Sequence, residues 1–323
     1  MWTPENRPRY NRDKLRYPSD LTDDEWSCIN LSIPPAKSGG RPRKIDLREV
    51  LNGIVYVLST GVQWRYISQD LPPRSTLHGY FRRWNDDTTP GTIHHTLYVA
   101  CREQIGRKTS LTACVIDGQS VKGAEKGGRV DPNGYDAGKK VKGKKRHISV
   151  DTARLLLHAI VRPADIQDRD GGVPVMSSRF GLFPFLRKLF ADAGSQGPPS
   201  AAGTAEVWHD LAIEVVRRSD TAKGFKLLPR RWVVERTFAW LNRCRRLAKD
   251  FENRTRNALA FSMLAPVRLM LRKLCNSRQD FPDGLLRLKK LSGTDTYSAF
   301  IFPSYTLLSP ERQPIIASLI LTG

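Results

Sequence analysis

The chain has 323 residues, 40% of them hydrophobic, which suffices for one large domain or two ordinary ones and excludes a disordered polypeptide. Lysine and arginine number 53 against 32 aspartates and glutamates, a formal charge of +21, and a surplus of that size in a folded chain is the electrostatic footprint of a nucleic-acid partner. No amphipathic basic helix carries the apolar face that a membrane surface would need, so a membrane partner is set aside.

The N-terminal MWTPENRPRYNRDK lacks the apolar core of a signal peptide, and a cytoplasmic location is expected. Helical signals then dominate to about residue 108. Ser19 and Thr22 are candidate caps before DDEWSCINLSI. Asp46 is expected to cap a helix in which Leu47, Val50, Leu51, Ile54, Val55 and Leu58 recur at three- and four-residue spacing until Gly61; that stripe reads as core. QWRYISQDL, PPR and STLHGYFRRWNDD read as two short helices about a tight turn, with Ser75 capping the second and Leu77, Phe81 and Trp84 on its buried face. If this helix-turn-helix candidate binds DNA, Arg74, Thr76, His78, Arg82 and Arg83 would reach the groove or its phosphates; a plain bundle with a basic face is the alternative. Upstream, GGRPRK offers Arg41 and Arg43 on an extended segment suited to a minor groove, or simply to a linker.

From residue 111 the pattern becomes that of strands. TACVID, RHISVD continuing into LLLHAIV, and FLRKLFAD are short apolar runs of strand length, with GGVPVMSSRF in the place of a crossover helix between the last two, and IEVVRR and a long helix follow. A mixed sheet covered by helices is expected, with Asp117 and Asp192 at the C-terminal edges of neighbouring strands, where open α/β sheets bind ligands. Glu235, in the basic helix PRRWVVERTFAWLNRCRRL, would come from a helix packed across that edge, sharing its face with Arg231, Asn242 and Arg246. Carboxylates so placed suit a hard cation, which takes oxygen ligands. Between Lys122 and Arg146, lysines such as Lys139, Lys140, Lys142, Lys144 and Lys145 alternate with glycines, reading as a flexible phosphate-tracking loop or as a solvated one. Five cysteines, Cys28, Cys101, Cys114, Cys244 and Cys275, form no CxxC pair and read as reduced thiols. The C-terminal apolar runs, broken by Pro303 and Pro310, are too short to span a bilayer.

The segments VIDGQSVK, NGYDAGKKVKGKKRHISVDT, ADIQDRDGG, FADAGSQG and RRWVVERTFAWLNRCRRLAKDFENR, in that order, resemble a DDE transposase of the bacterial insertion-sequence-five group. The resemblance implies an α/β, ribonuclease-H-like mixed sheet flanked by helices and preceded by a helical, helix-turn-helix-like region. Its expected organisation is a DNA-binding part over 1–108, a catalytic part over 109–275 and an extension of unknown role over 276–323. It further implies that Asp117, Asp192 and Glu235 hold two Mg2+ ions, with Mn2+ as a substitute, for cleavage at the element ends and strand transfer into target DNA. Double-stranded DNA is then the partner and a homodimer on DNA the assembly. Asp151, Asp165, Asp168 and Asp170 are rival carboxylates that the resemblance does not make ligands.

Some positions depart from that family's pattern. Arg231 and Glu235 match its signature, but Leu228 stands where a Tyr is usual and Asn242 where a Lys is usual, leaving Arg243 or Arg246 to supply the phosphate contact. Ser195 also replaces a usual Tyr beside Asp192. A nuclease without strand transfer, and an inactive DNA-binding repressor remnant, are the competing expectations.

Overall fold

A computed structural model describes residues 4, 7–36, 39, 43–124, 130–166, 185–192, 211–216 and 231–276. The chain divides after Arg278, and residues 279–323 lie outside the described residues. The expected crossover helix in GGVPVMSSRF, the part of ADIQDRDGG beyond Ile166, and Ser195 also lie outside them.

The helical region begins with α1 (Arg7–Tyr10) and α2 (Asp23–Ser27). Thr22 and Glu25 form a reciprocal capping box on α2, satisfying two otherwise orphaned N–H groups. The α3 helix (Leu47–Thr60) starts where Asp46 accepts from the Arg48 N–H at 2.8 Å and stops at Gly61, whose φ of 72° is the left-handed C-cap conformation. Its predicted stripe is buried along Val50, Leu51, Ile54, Val55 and Leu58, each side chain contributing about 1.5–3 kcal/mol.

The α4 helix (Arg74–Asp86) buries Leu77, Phe81 and Trp84, as the spacing predicts. Gly53 lets it come close to α3, since a Cβ there would lie 2.5 Å from Leu77 Cδ1. Two local expectations are corrected. Trp64–Tyr66 is a single 3-10 turn instead of a helix, and Ile67 is extended (ψ 138°), because Ser68 and Asp70 hold a polar turn with Tyr17. Ser75 is not the cap: the helix begins one residue before it, after Pro73, with no side-chain cap.

Next come α5 (Thr89–Gln104) and the strands β1 (Ala113–Lys122), β2 (Gly134–Asp136), β3 (Val141–Asp151), β4 (Leu156–Pro163), β5 (Lys188–Asp192) and β6 (Ala212–Val216). The sheet runs β2-β3-β1-β5-β6, with β4 also on β3. β1, β3 and β4 pair antiparallel as a meander, whereas β5 joins β1, and β6 joins β5, in parallel. The mixed sheet flanked by helices is therefore present.

Helices α6 (Arg231–Asn242) and α7 (Thr255–Asn276) close the described fold. α7 touches α2, α3, α4 and α5 as well as β4, so helical region and sheet share one core. Phe261 of α7 stacks on Phe81 with centroids 4.6 Å apart, and Trp64 packs beside both. No helix among the described residues is long and apolar enough to cross a membrane, and none of the five cysteines is in a disulfide.

Candidate functional site

β1 and β5 run side by side in parallel, with Val115 level with Phe190. Continuing that register by two residues brings Asp192, the last residue of β5, alongside Asp117. The expectation that Asp117 ends its strand is corrected: β1 continues to Lys122, because the polar residues Gly118 to Lys122 pair antiparallel with His147 to Gly143 of β3. At Asp117 the strand therefore passes the end of β5 while keeping its partner on the other side.

Side chains alternate across a strand, so Asp117, Gln119 and Val121 share a face with Ile148, Arg146 and Lys144, their register partners. The chain following α6 covers that face. There Arg146 donates to the Leu247 carbonyl at 2.8 Å and Lys144 to Thr255 Oγ1 at 2.9 Å. α6 itself packs on β1, β3 and β5. It buries Val233, Val234, Thr237, Phe238 and Leu241 and leaves Glu235 exposed beside that stripe. Asp117 is half-buried and accepts from the Gly118 N–H at 2.6 Å. The two strands and the helix that carry the three predicted carboxylates are thus in mutual contact. Among the described residues no trio of His, Cys, Asp or Glu is assembled for a metal; the side chain of Asp192 lies outside them.

The rival Asp151 is a structural group. It is fully buried, receives Arg102 at 2.6 Å, and accepts from the Ala153 and Leu155 N–H groups at 2.8 Å, which closes the β3–β4 turn. Asp165 is exposed, and Asp168 and Asp170 are outside the described residues.

The predicted DNA contacts divide sharply. Arg74, Arg82 and Arg83 are exposed along α4. His78 lies half-buried between them, edge-on to Trp64 at 5.2 Å; burial, then the charges of Arg82 and Arg74, push its pKa down, which keeps it neutral. Arg43 donates to the carbonyls of Pro34 and Pro35, tying its segment back on itself, while Arg41 and the Arg231 side chain are outside the described residues. Lys139, Lys140, Lys142 and Arg243 are exposed.

Three of the expected contacts are corrected. The stretch from Val141 onward is the strand β3, not a loop, and in it Lys144 and Lys145 are 1% and 4% exposed. Their ammonium groups face Asp250 at 3.9 Å and Asp136 at 3.4 Å. Arg246 shares no face with Glu235, because α6 ends at Asn242 in a tightened turn; it is buried, paired with Glu252 at 2.7 Å, and lies over Phe251 and Phe261. His147 is buried too, and burial, then Lys145, Arg162 and Lys139, push its pKa down to about 3.

The sequence pattern alone did not single out Asp136 and Ser120. Asp136 Oδ1 accepts from the Lys139 N–H at 2.9 Å, and Ser120 donates to its other oxygen. An Asp three residues before a glycine-containing lysine pair is a turn signature that could have drawn attention to it.

Comparison with known proteins agrees with this architecture. A family model described as "Transposase DDE domain" matches residues 108–270, just over half of the chain, and one described as "Putative transposase of IS4/5 family" matches residues 21–94. A curated relative from Burkholderia cepacia, "Putative transposase for insertion sequence element IS402", is 33% identical over 120 residues. That match covers 35% of this chain and 55% of the relative's own length. No solved structure matches. With a mixed α/β sheet carrying acidic residues on adjacent strands, and a family match over half its length, the chain belongs to the DDE transposases of the IS4/5 type.

Proposed function

We propose that the chain binds the ends of an insertion sequence and catalyses metal-dependent strand cleavage and transfer of the freed 3′-hydroxyl into target DNA. The observation that carries this is the parallel pairing of β1 with β5 up to Val115 and Phe190, two residues before Asp117 and Asp192, with the helix of Glu235 packed on both strands. A three-strand antiparallel meander extended by two parallel strands supports a ribonuclease-H-like fold. The three carboxylates form an all-oxygen donor set, which suits Mg2+, two ions in this class, with Mn2+ as a substitute. Bound there, the cations would lower the pKa of an attacking water or hydroxyl and neutralise charge on the leaving oxygen.

The protein's own part is to hold DNA so that one phosphodiester reaches that edge. Asp117 and Asp192 would sit at fixed positions on the sheet, and Glu235 would join them from α6. Arg74, Arg82 and Arg83, with His78 as a neutral hydrogen-bonding group, would meet the duplex from the region 1–108. Arg41 and Arg43 would follow its groove, and Lys139, Lys140, Lys142, Arg231 and Arg243 its phosphates around the catalytic region 109–275. Two ends held together would call for a homodimer on DNA, acting in the cytoplasm on the nucleoid.

The test is to incubate the full chain with a labelled element-end duplex and Mg2+. Nicking followed by joining is expected. Nicking alone would point to a nuclease without transfer, and a shifted but intact duplex to a repressor remnant; either would overturn the proposal.

A further inference from the structure

The β2–β3 hairpin is a short basic projection with an unusual internal brace. Its loop, residues 137–140, joins Asp136 to Val141, which are register partners, and Tyr135 stands opposite Lys142. Lys139, Lys140 and Lys142 are exposed, as is Tyr135 at 54%. Lys139 also reaches back to β1, donating from Nζ to the Gly118 carbonyl at 3.1 Å, one residue from Asp117.

Asp136 braces the tip from beneath. Only 9% exposed, it accepts from the Lys139 N–H, from Ser120 Oγ, and lies 3.4 Å from the Lys145 ammonium. Burial alone would raise its pKa, but the bonds from Ser120 and the Lys139 N–H and the charge of Lys145 prevail and carry it down to about 2. Its negative charge is therefore engaged on the protein side, and the lysines above it remain available to an anion.

Lys140 sits at φ 53°, in the left-handed region. A glycine or asparagine would occupy such a turn position without the steric cost that the Cβ of a lysine carries there. Strain of this kind persists where the surroundings over-determine it and a function uses the side chain. A lysine at the strained position, flanked by two more exposed lysines and an exposed aromatic ring, matches a nucleic-acid backbone with a base or sugar for the ring to lie against.

We infer that the β2–β3 hairpin is a preformed grip for the DNA phosphate backbone beside Asp117, with Lys139, Lys140 and Lys142 as contacts and Asp136 as its positioning residue. The inference rests on the DNA-acting function proposed above. It replaces a mobile lysine loop by a braced one whose contacts are set before DNA arrives.

Binding of the full chain to a labelled element-end duplex, followed by fluorescence anisotropy over a range of salt without divalent metal, tests it. The triple variant Lys139→Gln, Lys140→Gln, Lys142→Gln should flatten the log-affinity against log-salt slope by about 2.7, at about 0.9 per phosphate contact. Lys140→Gly is more telling: relief of the left-handed strain should leave Tm unchanged or raised, while the slope falls by about 0.9. Asp136→Asn adds net positive charge, so charge alone would tighten binding; loss of the brace should instead weaken it about tenfold. If that variant is poorly folded by its Tm, Ser120→Ala, which alters no charge, should weaken binding about threefold. Lys108→Gln, an exposed lysine outside the hairpin, should leave the slope unmoved. An unchanged slope in the triple variant and in Lys140→Gly overturns the grip, as does tighter binding by a folded Asp136→Asn. If the wild-type chain binds with a steep slope that the hairpin variants flatten, yet neither nicks nor joins with Mg2+, the grip stands and the transposition proposal falls. If it binds no DNA, both fall.

Discussion

The arginines of α4 and the basic run Lys144 to Arg146 of β3 look alike as a string of letters, yet they meet opposite fates. On α4, Arg74, Arg82 and Arg83 stand on the polar side of a helix whose other side buries Leu77, Phe81 and Trp84. On β3, Lys144, Lys145 and Arg146 are all buried, each satisfied by a residue from elsewhere in the chain: Asp250 and Thr255, Asp136, and the Leu247 carbonyl. A basic run is thus a surface feature only where no carboxylate or carbonyl folds over it. The +21 charge overstates what DNA can reach.

Breaking a buried pair should have the largest effect on stability. Lys144→Met removes the ammonium that faces buried Asp250 and donates to Thr255, which should cost about 3 kcal/mol and lower Tm by about 10 °C. A Tm within 2 °C or so of the wild type would place Lys144 with the surface cations after all.

Acid should expose the same region next. His147 has a folded pKa of about 3, below the unfolded value of about 6.5, so the unfolded chain takes up the proton first as pH falls. The stability contribution is therefore complete above about pH 6.5 and declines toward pH 3, by up to about 1.4 kcal/mol per unit. At pH 5 that amounts to about 2 kcal/mol. Denaturant melts at several pH values should show the decline, and His147→Asn should flatten it; equal slopes in the two proteins would refute the assignment.

The α4 arginines should matter least to stability and most to DNA. Arg74→Gln, Arg82→Gln and Arg83→Gln together should leave unfolding free energy within about 0.5 kcal/mol, while the salt slope of binding falls by about 2.7. Loss of stability with an unchanged slope would reverse the contrast between the two regions. Point changes suit this test better than deleting residues 1–108, because α5 lies along α7 and its removal would bare the shared core.

What could be read in advance follows the range of the interaction. Asp46, the Leu47-to-Leu58 stripe and Gly61 are local signals, and α3 begins and ends where they place it. The strand runs were legible from their apolar cores, but β1 extends through the polar Gly118 to Lys122, because cross-strand pairing with β3 completes it. Lysines among glycines look like a loop when the partners that bury them, Asp136 and Asp250, lie at a distance along the chain. Helical periodicity puts Arg246 on the face of Glu235, and it fails once the chain turns after Asn242. The parallel pairing of β1 with β5, which ends two residues before Asp117 and Asp192, is a long-range contact that no local pattern reveals.

The most direct test of the central claim is cleavage of a labelled element-end duplex in Mg2+ by Asp117→Asn, Asp192→Asn and Glu235→Gln, beside wild type and the exposed control Asp165→Asn. An amide keeps the shape of each side chain but loses the charge a cation requires. All three variants should bind the duplex and melt as wild type does, yet lose cleavage almost entirely, with Asp165→Asn cleaving normally. Cleavage retained by any of the three, or lost in Asp165→Asn alone, would contradict the account.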